Sequence, residues 1–301
     1  MSSPYVRRRR LSDELARLLE EHGYSADQLA SATGLSKQRI SRISRCQVRP
    51  SLDEILRILD HFDADHERRR TITDVARDAQ ERGWWERQAA QMGLRQALYA
   101  DLEWGAATIC EYQLTFVPGL LQTELFSRAR IAADKAIYRV AFDAERAVAA
   151  RQTRQRLLQQ PGGPVYEVVM DELAIRRLAA PVRVVAAQLD HLVDLGHHHD
   201  RVRIRVLPTD AQIDGHAVPR SAFSIYRYPD PGDPVVVAVD TATSDLVLTR
   251  FDDVEPYLAL YARLHAAALS PADSLDFLAA LAGDLPHEEH HTEGANYAHQ
   301  I

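Results

Sequence analysis

One stretch, residues 25–43 (Ser-Ala-Asp-Gln-Leu-Ala-Ser-Ala-Thr-Gly-Leu-Ser-Lys-Gln-Arg-Ile-Ser-Arg-Ile), limits what this chain can fold into more than any other. It predicts two short helices joined by a sharp bend, a helix-turn-helix. Leu29 and Ala30 lie on the inner face of the first helix, and Ala30 is small enough for a close crossing. Gly34 falls at the bend, where a tight turn often takes a positive φ that only glycine adopts cheaply. Leu35 plugs the bend, and Ile40 and Ile43 line the inside of the second helix. Both helices carry start signals: Ser25 with Gln28 reads as a capping box, and Ser36 as an N-cap. A glycine between two helices alone would be weak evidence; the full set of positions is specific.

With the isoleucines inward, helical spacing turns Lys37, Gln38, Ser41 and Arg42 outward together. Gln pairs bidentately with adenine, Arg or Lys with guanine, and Ser with either base or phosphate, so these four are the expected base-contacting residues. Ser25, Ser36 and the helix N-termini suit backbone phosphates. Arg39, Arg45 and Arg49 lie on the flanks, where sequence-independent phosphate contact is expected. The competing reading is a solvated polar face on a small helical bundle.

Around this pair a five-helix DNA-binding domain is drawn over residues 11–65. Leu11, Leu15, Leu18 and Leu19 form a stripe before Gly23. After Pro50, Ser51 and Glu54 make a second capping box, with Leu52, Ile55, Leu56 and Leu59 as the buried stripe. Residues 11 to about 60 resemble the Xre/Cro type of phage-repressor-like regulator, through Ile40-Ser41-Arg42-Ile43 and then Pro50-Ser51-Leu52. That pattern usually has Glu, then Gly two residues on, after the recognition helix. This chain has Ser44 and Cys46 there, so a differently shaped helix exit is expected.

The formal net charge of −7 is unevenly placed. Residues 1–70 hold 14 Lys+Arg against 11 Asp+Glu, and the remainder 22 against 32. A mildly basic head on an acidic body is the asymmetry expected of a regulator whose body avoids non-specific contact with DNA. The run Arg7-Arg-Arg-Arg10 has two readings: a basic arm, residues 1–10, reaching a groove or the phosphates, or a disordered solubilising tail. No apolar run follows it, so no signal peptide is expected, and no segment approaches 18 apolar residues. Two cysteines, Cys46 and Cys110, give no disulfide framework and no metal spacing. The expected location is cytoplasmic and nucleoid-associated, without a membrane partner.

Residues 66–92 read as a helical linker, with Trp84 and Trp85 as a packing anchor. Residues 93–285 read as an α+β domain, a mixed or antiparallel sheet flanked by helices, and residues 286–301 as a disordered tail. Expected strands cover 107–117, 165–170, 202–207, 222–228, 235–240 and 245–248. Several motifs follow in order: Arg82-Gly-Trp-Trp-Glu86, Val117-Pro-Gly-Leu-Leu-Gln-Thr-Glu124, Arg154-Gln-Arg-Leu-Leu158, Ile204-Arg-Val-Leu-Pro208 and Leu269-Ser-Pro271. Together they resemble the uncharacterised C-terminal domain of WhiJ-like actinobacterial regulators. The resemblance implies a transcriptional regulator, some members of the group being antitoxin-like and paired with a small partner protein.

Other candidate sites mostly fail. His197-His-His199 would diverge on a helix, and His287 and His291, though spaced by four, fall in the expected tail. Gly162-Gly163 lacks the phosphate-loop pattern. Glu111, Glu124, Asp171 and Glu172 with Arg176 read as ordinary salt-bridged surface. No nucleophilic triad has local support, so no enzyme, metal or cofactor is expected. Trp84, Trp85 and Tyr112 are kept as candidate ligand- or partner-binding residues. The leading expectation is a homodimeric, sequence-specific regulator of double-stranded DNA. An antitoxin-like module holding a small partner protein and a sensor gated by a small-molecule effector remain as alternatives.

Overall fold

The computed structural model describes residues 2–138, 142–241 and 245–285. Five helices form the first unit: α1 (Pro4–Glu21), α2 (Ala26–Thr33), α3 (Lys37–Ser44), α4 (Leu52–His61) and α5 (His66–Asp78). Their apolar stripes meet in one core. Leu11, Leu15 and Leu18 of α1 pack with Leu29, Ile40, Ile43, Ile55, Ile58 and Leu59, and with Ile72, Val75 and Ala76 of α5. The fifth helix therefore shares the core of this helical unit, which reaches Ala79. Both predicted capping boxes form, at Ser25/Gln28 and Ser51/Glu54.

The basic arm expected over residues 1–10 is instead the start of α1. Ser3 caps it, its hydroxyl accepting from the Val6 amide, and Pro4 sits where a missing N–H costs nothing. Val6 is fully buried in the core of the second unit, so α1 spans both.

The second unit begins with α6 (Trp84–Met92) and α7 (Leu94–Glu103). The strands β1 (Thr108–Gln113), β2 (Val165–Asp171), β3 (Val202–Leu207), β4 (Phe223–Arg227), β5 (Val236–Val239) and β6 (Leu246–Leu248) form one sheet in the order β3-β2-β1-β4-β5-β6. The β1/β2 and β2/β3 pairs are parallel and the rest antiparallel, so the sheet is mixed. The parallel crossovers carry α8 (Glu124–Tyr138) and α9 (Ala144–Gln159), then α10 (Glu172–Arg176) and α11 (Val182–His198). Two closing helices follow, α12 (Phe251–Ala267) and α13 (Pro271–Asp284).

Alternate strand residues feed two cores. Val168, Met170, Val206 and Ala238 face α11 and α13, while Val169, Leu207, Val237 and Val239 face α12. The β3 edge is covered: the Leu269 amide donates to the Val206 carbonyl (2.9 Å), and Val206 N–H to the Ser274 hydroxyl (2.9 Å). Among the described residues no helix is long and apolar enough to cross a membrane.

Candidate nucleic-acid interface

Gly34 ends α2 with φ of 69°, the left-handed turn that brings α3 across it. Ser36 caps α3, its hydroxyl accepting from the Arg39 amide at 3.1 Å. Ile40 and Ile43 are buried, which leaves Lys37, Gln38 and Arg42 exposed on the opposite edge, with Ser41 half-buried beside them. The acidic body does not cover this edge. Lys37 pairs with Asp27 of α2 (2.7 Å), an exposed bond of small net worth that a nucleic acid would have to displace. Gln38, Arg42 and Arg45 have no side-chain partner among the described residues, and Arg45 is exposed just past α3.

The helix exit keeps the usual left-handed shape without glycine. The Gln47 amide donates to the Arg42 carbonyl (2.9 Å) and the Cys46 amide to that of Ile43 (3.0 Å), with Cys46 at φ 57°. This is a Schellman ending with cysteine in the glycine position, so the expectation of a different exit does not hold. The Cys46 thiol donates to the Arg8 carbonyl at 3.5 Å.

Two of the flanking arginines are committed elsewhere. Arg39 donates to both oxygens of Glu54 (2.6 and 2.9 Å) and to the Arg49 carbonyl (2.9 Å), bracing α3 against the start of α4. The Arg39 hydrogen bond, with that of the Ser51 amide, outweighs burial and holds Glu54 below the usual carboxylate range. Arg49 forks onto Glu86 of α6, one arm at 2.8 Å, and its Nε donates to the Ala79 carbonyl at 3.3 Å. Ser25 and Ser36 are exposed at their helix starts, their hydroxyls serving the caps.

The Arg7–Arg10 run faces the body, not open solvent. Arg7 and Arg10 converge on Asp230 (2.9 and 2.7 Å) and Asp233 (3.2 Å each), and Arg7 also meets Asp78 at 3.3 Å. Arg9 donates to the Thr249 hydroxyl at 2.7 Å. Asp230 is set by an Asx turn, accepting from the Gly232 amide at 2.9 Å. A side chain at Gly232 would meet the Arg10 guanidinium at 2.3 Å, so the close approach of Arg10 as it stands uses the absence of a Cβ there. Burial opposes ionisation of Asp230, but the Gly232 amide and the two arginines outweigh it and hold its pKa at about 2.

The remaining sequence candidates are structural. Tyr112 is fully buried, its hydroxyl donating to Asp171 at 3.2 Å, so it offers no binding surface. Trp85 is 2% exposed and packs edge-on against Trp84 and tilted against Trp104, at centroid distances of 6.1 and 5.6 Å. The Pro118–Thr123 motif is stitched from inside by glutamines. Gln122 donates to the Val117 carbonyl, Gln155 to those of Gly119 and Gln122, and Gln188 to that of Leu121, all within 2.7–3.0 Å.

Glu172 pairs with Arg176 (2.5 Å), and Glu124 pairs with Arg128 (2.8 Å). Glu111 is not surface: it is buried on β1, accepting from the Tyr166 hydroxyl at 2.6 Å and the Gln113 amide at 2.8 Å. Burial pushes it up to about 7 against those hydrogen bonds. Among the described residues no cluster of three or more His, Cys, Asp or Glu is placed to hold a metal; His287 and His291 lie outside them, as does the rest of the expected tail.

A capped helix pair with a left-handed bend and an open polar edge, carried on an α+β body, defines a helix-turn-helix protein. A helix-turn-helix domain model matches residues 10–72, which points to a DNA-binding regulator. A domain of unknown function, DUF5753, matches residues 96–280, more than half of the chain, and the chain belongs to that family. No curated protein and no solved structure matches.

Proposed function

We propose that the protein is a sequence-specific, Xre-type transcriptional regulator in which α3 enters the major groove of double-stranded DNA. Lys37, Gln38, Ser41 and Arg42 meet base edges, and Ser25, Ser36 and Arg45 meet phosphates. The observation that carries this reading is the open edge of α3, where Gln38 and Arg42 stand exposed and unpaired above two buried isoleucines. Unpaired, solvated donors at the surface lose little when a base replaces water, whereas Arg39 and Arg49 would have to abandon Glu54 and Glu86. Those two arginines therefore support the frame and leave phosphate contact to Arg45. One recognition helix reads few base pairs, so the working species is a homodimer placing two α3 helices on successive major-groove faces about 34 Å apart. The C-terminal unit regulates this binding.

The test is retention of genomic fragments by the full chain across a salt series. The wild type is expected to select fragments, with affinity falling steeply as salt rises. The double variant Arg42→Glu, Arg45→Glu, folded as judged by circular dichroism, is expected to lose retention. A wild type that ignores every fragment at low ionic strength, or a double variant that retains them equally, overturns the proposal.

A further inference from the structure

A cleft of about 440 Å³ lies between the two units, beside the Arg7–Arg10 contacts. Tyr5 and Arg8 of α1 line it, with Gln47 from the loop leaving α3 and Trp85, Leu98 and Asp101 from the body. Arg8 differs from its neighbours in the run. Its side chain is 13% exposed, yet it makes no hydrogen bond among the described residues, and its nearest carboxylate oxygen, on Asp101, is 3.8 Å away. The other oxygen of that carboxylate, Oδ1, accepts from the Ser3 hydroxyl (2.7 Å) and the Tyr5 amide (3.1 Å), which hold Asp101 in place. Arg7, Arg9 and Arg10 all have partners within 2.9 Å. The Arg8 Nη1 is buried and has no hydrogen-bond partner among the described residues; a donor so placed is costly, and an oxyanion arriving in the cleft would relieve that cost.

The walls define the rest of the ligand. The Arg8 guanidinium sits 5.9 Å from the Tyr5 ring centroid, and the Trp85 indole and Leu98 add apolar surface, a setting for a flat ring. Asp101 and Glu86 also line the cleft, so a ligand carrying more than one negative charge would be repelled.

We propose that this cleft binds a small aromatic monocarboxylate, with its carboxylate on Arg8 and its ring against Tyr5 and Leu98, and that its occupancy changes DNA affinity. The coupling follows from the wall: residues 46–49 form one side of the cleft and leave directly from α3. The coupling rests on the DNA-binding reading; the binding site does not.

Trp84, Trp85 and Trp104, the three tryptophans of the chain, form one cluster at the cleft, so intrinsic fluorescence reports on it directly. The full-length protein is titrated with benzoate and phenylacetate, and with the neutral benzamide and phenylacetamide. A saturable fluorescence change is expected with the carboxylates, about tenfold weaker with the amides and in Arg8→Gln. Ala89→Phe, at a half-buried position of α6 that lines the cleft, keeps Arg8 but fills the cleft and is expected to lose the response as well. No saturable change with either carboxylate, or equal responses in wild type and both variants, overturns the site. A normal fluorescence response with unchanged DNA retention at saturating acid overturns the coupling alone.

Discussion

At the scale of single residues, the DNA-binding unit separates side chains that build the frame from side chains left free to act. Cys46 occupies a left-handed position that costs a non-glycine residue about 1–2 kcal/mol. Cys46→Gly is therefore expected to raise the thermal midpoint, by roughly 0.5–1 kcal/mol of stability once the added chain entropy of glycine is counted. Cys46→Val, β-branched at the same φ, should lower it by about 1 kcal/mol or more. A calorimetric series on the three proteins checks both. Arg39→Ala should cost about 1–2 kcal/mol, since it removes two hydrogen bonds that tie α3 to Glu54 of α4 and a third to the Arg49 carbonyl in the loop before it. Well below its melting temperature it should keep its base preferences, whereas Arg45→Ala should weaken all sequences alike.

Glu111 adds a pH dependence. Its folded pKa, about 7, lies above the unfolded value, so the folded state holds a proton that the unfolded chain releases near pH 4–5. The stability it contributes is complete below that range and lost as pH rises through 7; Glu111→Gln should flatten this slope in pH-dependent melting curves. The capping boxes were legible in the sequence because both partners lie three residues apart. The commitments of Arg39 and Arg49 were not, because Glu54 and Glu86 come to them only through tertiary packing.

Elements show the same division between local and distant causes. The six strands of the body follow from periodicity and breakers, and the apolar run Val168-Val169-Met170 in β2 reflects burial on both faces of the sheet. The strand order places β1 between β2 and β4, which no local signal encodes. Ser3-Pro4 is a helix start, and no breaker follows it until Gly23, so α1 was readable to its true length. The charge run reads outward, to DNA or solvent, because its partners Asp230 and Asp233 sit in a turn more than 200 residues away.

The clasp carries its own prediction. Asp230→Asn with Asp233→Asn leaves the buried Arg10 guanidinium without a carboxylate and Arg7 with Asp78 alone, and breaking such pairs is strongly destabilising. Amide exchange in the first turns of α1 should accelerate, while the core around Leu29 and Ile58 stays protected. The pH sign is opposite to that of Glu111: the folded pKa of Asp230 is depressed, so its contribution is full above about pH 4 and fades as pH falls toward 2.

As a whole molecule, the chain is a basic head held onto an acidic body by its own first helix. Contacts from α1, Arg49 and the Trp85 region fix where α3 sits relative to the body, while its outer edge stays open among the described residues. The measurement that bears most directly on this account is binding-site selection from random duplex DNA with wild type, Lys37→Ala and Gln38→Ala. The account predicts one enriched motif for the wild type and relaxed preference at separate positions for each variant. The same motif recovered from all three proteins, or no enrichment by the wild type, would contradict it.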